Sequence, residues 1–266
     1  MEKQTKQNYI LGAIVGDVIG SVYEWNNVKS LDFPLFKPET TFTDDSVLTI
    51  ATMMAILHKE NYTKTYQEFG RNYPNRGYGD RFIWWLMESN PKPYESFGNG
   101  SAMRVSPIGW FFDTIEDVLE QAKKSAEVSH NHPEGIKGAQ AVAVAVYFAR
   151  MGKSKNEIKE YISRNFSYDL GRTIDEIRPI YKFDVSCQGS VPEAIIAFLE
   201  STDFENAIRL AISIGGDSDT IACITGAIAE AYYKEIPNDI IEKVLELLPE
   251  DLLFNLNEFS NNIKIN

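Results

Sequence analysis

Gly12-Ala13-Ile14-Val15-Gly16-Asp17-Val18-Ile19-Gly20 places a glycine at every fourth position of an apolar run. With Ile10, Ile14 and Val18 one turn apart, the spacing predicts a helix over 9–22. Glycines at i, i+4 and i+8 weaken a helix, so such a stripe marks the close approach of another backbone. Helical periodicity continues outward from this segment. After an irregular stretch, Asn26 to Thr41 with Pro34 and Pro38, a second helix begins past Thr43 and runs to about Glu60. Further helical patterns cover 63–72, 79–88, 101–112, 114–129, 133–151, 154–164, 190–200, 203–214, 218–233 and 237–247, with a weaker one at 250–261. Alanine is plentiful in 133–151 and 218–233, where helices are expected to pack closely. The one strand signal is Lys182 to Ser186. No linker or repeat divides the chain, so the expectation is an all-α fold, a single domain over 1–266 with its core about 9–247.

Composition narrows the class. The 266 residues carry 26 Lys and Arg against 38 Asp and Glu, a formal charge of −12. An acidic surface repels phosphate backbones, so non-specific nucleic-acid binding is not expected. The two cysteines, Cys187 and Cys223, form neither a disulfide framework nor a zinc motif, and a reducing cytoplasm is the natural reading. The polar segment Met1 to Asn8 resembles no signal peptide. Apolar stretches such as Ala139 to Ala149 fall short of the ~20 residues that span a bilayer. A monomer with no membrane partner is the expected form.

Two short acidic segments carry the chemistry. Thr43-Asp44-Asp45-Ser46 precedes the apolar run Val47 to Leu57, and Gly215-Gly216-Asp217-Ser218-Asp219-Thr220 precedes a helix through Ile224 and Ile228. Capping explains either one alone, because Asp, Ser and Thr satisfy free amides at a helix start. Capping needs a single side-chain oxygen, whereas here several converge. Clustered carboxylates repel unless a cation neutralises them, and Asp and Thr oxygens suit magnesium, manganese or calcium rather than zinc. If the two helix ends meet, their oxygens suffice for two hard cations, with Asp219 or Asp44 as a bridge.

Other segments add to this. Ser96-Phe97-Gly98-Asn99-Gly100-Ser101-Ala102-Met103-Arg104 is a glycine-rich turn opening a helix; it reads as a plain cap or as a cradle for a diphosphate. Ser129-His130-Asn131-His132-Pro133-Glu134-Gly135 holds two of the three histidines, a poor zinc site and a better source of hydrogen bonds. Ser186 to Glu193 reads as a loop into a helix with Pro192 near its first turn, and Cys187 as a small buried residue. Glu24 closes the first helix, where a carboxylate opposes the dipole and is either solvated or functional.

Taken together, Gly16-Asp17 through Gly20 to Glu24, Thr43-Asp44-Asp45-Ser46, Gly98 to Arg104 and Gly215 to Thr220 resemble, in this order, the ADP-ribosylglycohydrolase family, also called the dinitrogenase-reductase-activating glycohydrolase type. The resemblance spans Gly12 to about Tyr233. It implies a compact orthogonal helical bundle around a binuclear site, usually two Mg2+ with Mn2+ as a substitute. Thr43, Asp44, Asp45 and Asp219 would hold one metal; Asp217, Asp219 and Thr220 would hold the other, with Glu24 approaching as a gate. Gly98, Asn99, Gly100, Ser101 and Met103 would bind the diphosphate of ADP-ribose, and His130 stands where the family has a histidine near the ligand. Arg76-Gly77-Tyr78-Gly79-Asp80 resembles a family segment with glycine expected at position 80, so Asp80 is a further carboxylate, read as a helix N-cap with a role in the site as the alternative.

The implied reaction is hydrolysis of the ribose C1″ bond in an ADP-ribosylated protein or a small ADP-ribosyl substrate, with Glu24, Asp44 or Asp45 orienting or deprotonating the water. The alternatives are a non-catalytic ADP-ribose-binding member of the fold, or a hydrolase of a small ribosyl metabolite. An intact set of six metal-side residues favours the enzyme, since a fold alone fixes no activity.

Overall fold

The computed structural model describes residues 10–263, and the readings that fall on residues 1–9 lie outside them. Fifteen α-helices follow one another among the described residues: α1 Gly12–Gly20, α2 Asp44–Leu57, α3 Tyr62–Asn72, α4 Asp80–Met87, α5 Gly100–Met103, α6 Ser106–Phe111, α7 Ile115–Glu127, α8 Pro133–Arg150, α9 Lys155–Phe166, α10 Ile174–Ile177, α11 Cys187–Glu200, α12 Phe204–Ile214, α13 Ser218–Tyr233, α14 Asn238–Leu247 and α15 Glu250–Asn262. The fold is all-α. The strand signal at Lys182 to Ser186 amounts to one isolated antiparallel bridge, Gly98 with Ser186.

The helix starts follow local chemistry. Thr43, Asn61, Thr114, Ser154, Thr173, Ser186 and Asp203 each accept an amide hydrogen bond at an N-cap, and Ser154 and Thr173 form capping boxes with Glu157 and Glu176. Helix α8 buries alanine and valine from Ala139 to Val146, and α13 is buried from Ser218 to Ala231. Helices apolar on all sides belong at the centre of a core, and the alanine-rich windows are there.

The glycine stripe sets the central contact. A Cβ on Gly12 would lie 2.3 Å from the Gly226 carbonyl, one on Gly16 2.0 Å from the Ala222 carbonyl, and one on Gly20 2.5 Å from the Asp219 Cα. Rising numbers on α1 meet falling numbers on α13, so the two helices run antiparallel with backbones touching. At the far end the buried Glu230 carboxylate accepts from the amides of Leu11 (2.9 Å) and Gly12 (2.8 Å), which α1 cannot satisfy itself.

Three boundaries differ from the periodicity. The pattern over 101–112 is two helices, broken at Arg104 and Val105. Pro107 has no amide to return to Met103, and the Met103 carbonyl instead takes the Thr49 hydroxyl and the Cys223 thiol, both at 3.4 Å. Helix α11 starts at Cys187 rather than 190, so Pro192 sits in its second turn. Helix α1 ends at Gly20, and Glu24 lies beyond it in a turn.

Gly16→Ala is the direct test of the central contact. A methyl group 2.0 Å from a carbonyl oxygen has no space unless two backbones part. A loss of about 3 kcal/mol or more is expected, read as a fall in denaturant midpoint. An unchanged midpoint would mean that the two helices are not in backbone contact.

Candidate active site

The antiparallel α1 and α13 bring the C-terminal end of one to the N-terminal end of the other, and α2 starts beside them. The result is a cleft of about 360 Å³ lined by Glu24, Asp44, Asp45, Asp217, Asp219 and Thr220 on one side and by Gly98, Asn99, Gly100, Met103, Arg104 and His130 on the other. The two acidic motifs, some 170 residues apart, therefore meet. One carboxylate oxygen from each of Asp17, Asp45 and Asp219 falls within 4.8 Å of the others, and so does one from each of Glu24, Asp217 and Asp219. Asp219 belongs to both groups, and Asp44 lines the cleft without belonging to either. The Thr220 hydroxyl donates to Asp45 Oδ2 at 3.3 Å, joining the motifs directly.

Asp17 is the residue that the sequence reading quoted without a role. It is fully buried. Its carboxylate accepts from the Thr43 amide (2.9 Å), the Thr43 hydroxyl (2.6 Å), the Ser46 amide (3.1 Å) and the Ser46 hydroxyl. Four donors fill its lone pairs, so Asp17 anchors the start of α2 and aims Asp44 and Asp45 at the cleft. The signal available in the sequence was a lone carboxylate inside the apolar run of α1. Asp44 is held from the other side, its amide donating to the Arg76 carbonyl at 2.8 Å.

The electrostatics of the cluster are unfavourable by themselves. Burial first, then neighbouring carboxylates, raises Asp44 and Asp45 well above the ordinary carboxylate range, and burial followed by Asp217 and Asp17 does so for Asp219. Glu24, less buried, is pushed up to about 7 by burial and then by Asp219. Asp45 Oδ1 and Asp219 Oδ1 are buried with no hydrogen-bond partner. Orphaned oxygens of this kind, on two carboxylates that approach within 4.8 Å and are backed by hard oxygen donors, fit a divalent cation.

The opposite wall is less open than the sequence implied. Asn99 donates its side-chain amide to Asp217 Oδ2 at 2.6 Å and its backbone amide to the Val185 carbonyl at 2.8 Å. The Ser101 hydroxyl turns away to the Gly135 carbonyl at 2.8 Å. The first amides of α5, at Gly100 and Ser101, have no earlier helical acceptor. Gly98, Gly100, Met103 and His130 line the cleft as expected, and so does Asp80, the first residue of α4 after its Gly79 cap. His132 caps α8, accepting from the Glu134 amide at 3.1 Å. The Cys187 thiol is pushed up to about 12 by burial and is no nucleophile at neutral pH.

A helical fold with converging carboxylates at a cleft defines a class, and comparison with known proteins defines the family. The sequence model of the ADP-ribosylglycohydrolase family matches residues 7–262. The chain belongs to that family, and is an enzyme of the glycosidic-hydrolase class acting on ADP-ribose linkages. It is 29% identical to ADP-ribosylhydrolase ARH3 of Mus musculus, over 84% of this chain and 82% of that one. It is 29% identical to the Homo sapiens protein of the same name, over 84% of each. A solved structure described as an ADP-ribosylglycohydrolase-related protein complex superposes with a TM-score of 0.74 at 22% identity, covering 94% of this chain and 96% of that one, and so shares its fold. No described helix is long and apolar enough to cross a membrane.

Asp17→Asn tests the anchor. The amide offers one acceptor oxygen where the carboxylate offers two, and its NH2 must face a Thr43 or Ser46 donor. A loss of about 1–3 kcal/mol is expected in thermal or denaturant unfolding. Retention of parent stability would remove Asp17 as the support of α2.

Proposed function

We propose that the chain hydrolyses the bond between ribose C1″ and the acceptor atom of an ADP-ribosylated protein or small ADP-ribosyl compound, releasing ADP-ribose with the help of two magnesium ions. Manganese would serve as a substitute. The observation that supports this reading most is the meeting of two acidic helix starts around buried, unpartnered carboxylate oxygens, across a cleft from a glycine-rich turn.

In this reading Thr43, Asp44, Asp45 and Asp219 hold one ion, and Asp217, Asp219 and Thr220 the other. When bound, the ions neutralise the clustered carboxylates and supply the positive charge that anchors the vicinal hydroxyls of the distal ribose. Asn99 steadies Asp217 from the opposite wall. The turn from Gly98 to Met103 receives the diphosphate through the free amides of α5, and His130 borders the same space. Glu24 lies within reach of Asp217 and Asp219 yet is only half-buried, which supports a role for its carboxylate in handling the water. As the water oxygen attacks C1″ and the C1″–acceptor bond breaks, Glu24 takes the proton of that water at a carboxylate oxygen. Asp44 and Asp45 stabilise the oxocarbenium-like charge. The acceptor leaves with its bonding electrons and takes up the one proton that Glu24 removed from the water, so that Glu24 returns to its ionised form.

Two measurements test this reading. Asp219→Asn keeps volume and removes the charge shared by both groups. Release of ADP-ribose from a panel of ADP-ribosylated acceptors should fall at least ~100-fold while the helical spectrum is retained. Release at the parent rate would overturn the metal assignment. The second measurement is stability against pH. The folded chain holds protons on Asp44, Asp45, Asp219 and Glu24 above the pH, about 4, at which the unfolded chain loses them. Metal-free protein therefore loses stability as pH rises from about 4 through 7, the value reached by Glu24. Millimolar Mg2+ should raise the melting temperature much more at pH 8 than at pH 5. An equal effect at both would mean that the ion binds elsewhere.

A further inference from the structure

Arg104 is fully buried, and only its Nη2 is bonded, to the Ser125 carbonyl at 2.9 Å and to Ser129 Oγ at 3.0 Å. Its Nε and Nη1 have no partner. The guanidinium lies instead over the rings of Tyr66 (4.3 Å) and Phe82 (5.7 Å). A guanidinium only donates, so Ser129 Oγ accepts from it. Ser129 is itself fully buried, and its hydroxyl proton has one acceptor within reach, Nδ1 of His130 at 2.8 Å. A ring that accepts at Nδ1 carries its proton on Nε2.

The surroundings keep that ring neutral. Burial, then the charges of Arg104 and Arg81, hold His130 well below the ordinary histidine range. Its other neighbours are the rings of Tyr94 and Phe82, with centroids at 6.0 and 6.4 Å. Nε2 faces the glycine-rich turn. A Cβ on Gly100 would stand 3.2 Å from it, and one on Gly98 3.6 Å. The two glycines put no side chain between Nε2 and the turn, and all three residues line the same cleft.

We propose that Arg104 and Ser129 are positioning residues that lock His130 as the Nε2–H tautomer, so that its ring donates a fixed hydrogen bond to a diphosphate oxygen of the ligand lying on the Gly98–Gly100 turn. The inference rests on that turn being the diphosphate site, as argued above. A phosphate oxygen only accepts, and a mixed tautomer would present it with a lone pair part of the time. The serine removes that mixture, and the arginine fixes the direction of the serine.

The test is nitrogen NMR on protein labelled in its histidine rings, with a His130→Gln spectrum to separate His130 from His58 and His132. Protonated Nε2 and unprotonated Nδ1 are expected from pH 6 to 8. In Ser129→Ala both tautomers should appear, and the Kd for ADP-ribose should weaken about fivefold to tenfold, with KM following more than kcat. If Ser129→Ala does not fold, Ser129→Cys keeps the size, donates weakly and is measured in the same way. A parent ring protonated at Nδ1 overturns the tautomer lock. Unchanged ADP-ribose affinity in a variant with mixed tautomers overturns the positioning role. A parent with the Nε2–H ring that binds no ADP-ribose overturns the diphosphate assignment of the turn, and the ligand half of this inference with it.

Discussion

The backbone contact between α1 and α13 is the constraint on which the cleft depends. Three glycines on α1 and the reciprocal Gly226, whose added Cβ would meet the Gly12 carbonyl at 2.2 Å, remove the side chains that would hold the helices apart. Helices normally pack with axes about 8–10 Å apart, and glycine-lined faces allow the close end of that range. Because the pair is antiparallel, the end of α1 delivers Glu24 to the start of α13, where Asp217 and Asp219 lie. Asp17, one turn back, reaches sideways to the start of α2. A single packing decision thus fixes three chain segments around one point.

That point is costly to form without an ion. The dipoles of α2 and α13 favour carboxylates in their first turns by about 0.3–1 kcal/mol each. Burying a charged carboxylate costs several kcal/mol even after relaxation. Helix ends therefore offset only a fraction of the penalty for Asp45 and Asp219, and the raised pKa values show protons taking the place of the missing countercharge. Burial raises Asp17 as well, yet its four donors leave it no oxygen without a partner. The contrast between a saturated carboxylate and two with orphaned oxygens separates the support from the ligands.

Much of this was legible in the chain. The glycine period announced a close helix contact, and two oxygen-rich helix starts announced converging carboxylates that could hold a cation, because both are local patterns with a physical cause. What stayed hidden depends on tertiary geometry. Asp17 reads as one polar residue in an apolar helix until its partners 26 and 29 positions away are known. The break at Arg104 needed the knowledge that Thr49 and Cys223 would take up the Met103 carbonyl. The bonds of the Asn99 side chain to Asp217 and of the Ser101 hydroxyl to Gly135 were equally hidden, because composition does not reveal which way a hydroxyl or amide turns.

The direction of Asn99 has a consequence for how the cleft works. Its side chain donates to Asp217 at 2.6 Å while its backbone is clipped to Val185, in the segment whose next residue, Ser186, bridges Gly98. The glycine-rich turn and the carboxylate cluster are therefore parts of one hydrogen-bonded frame rather than two walls that move independently. In the proposed reading, a ligand that spans from the glycine-rich turn to the carboxylates would meet a distance already set, so little ordering entropy would be lost on binding. In the proposed reading, a ribose linked through a diphosphate would reach both ends of the frame that the bond from Asn99 to Asp217 holds together, and ribose alone would reach only one.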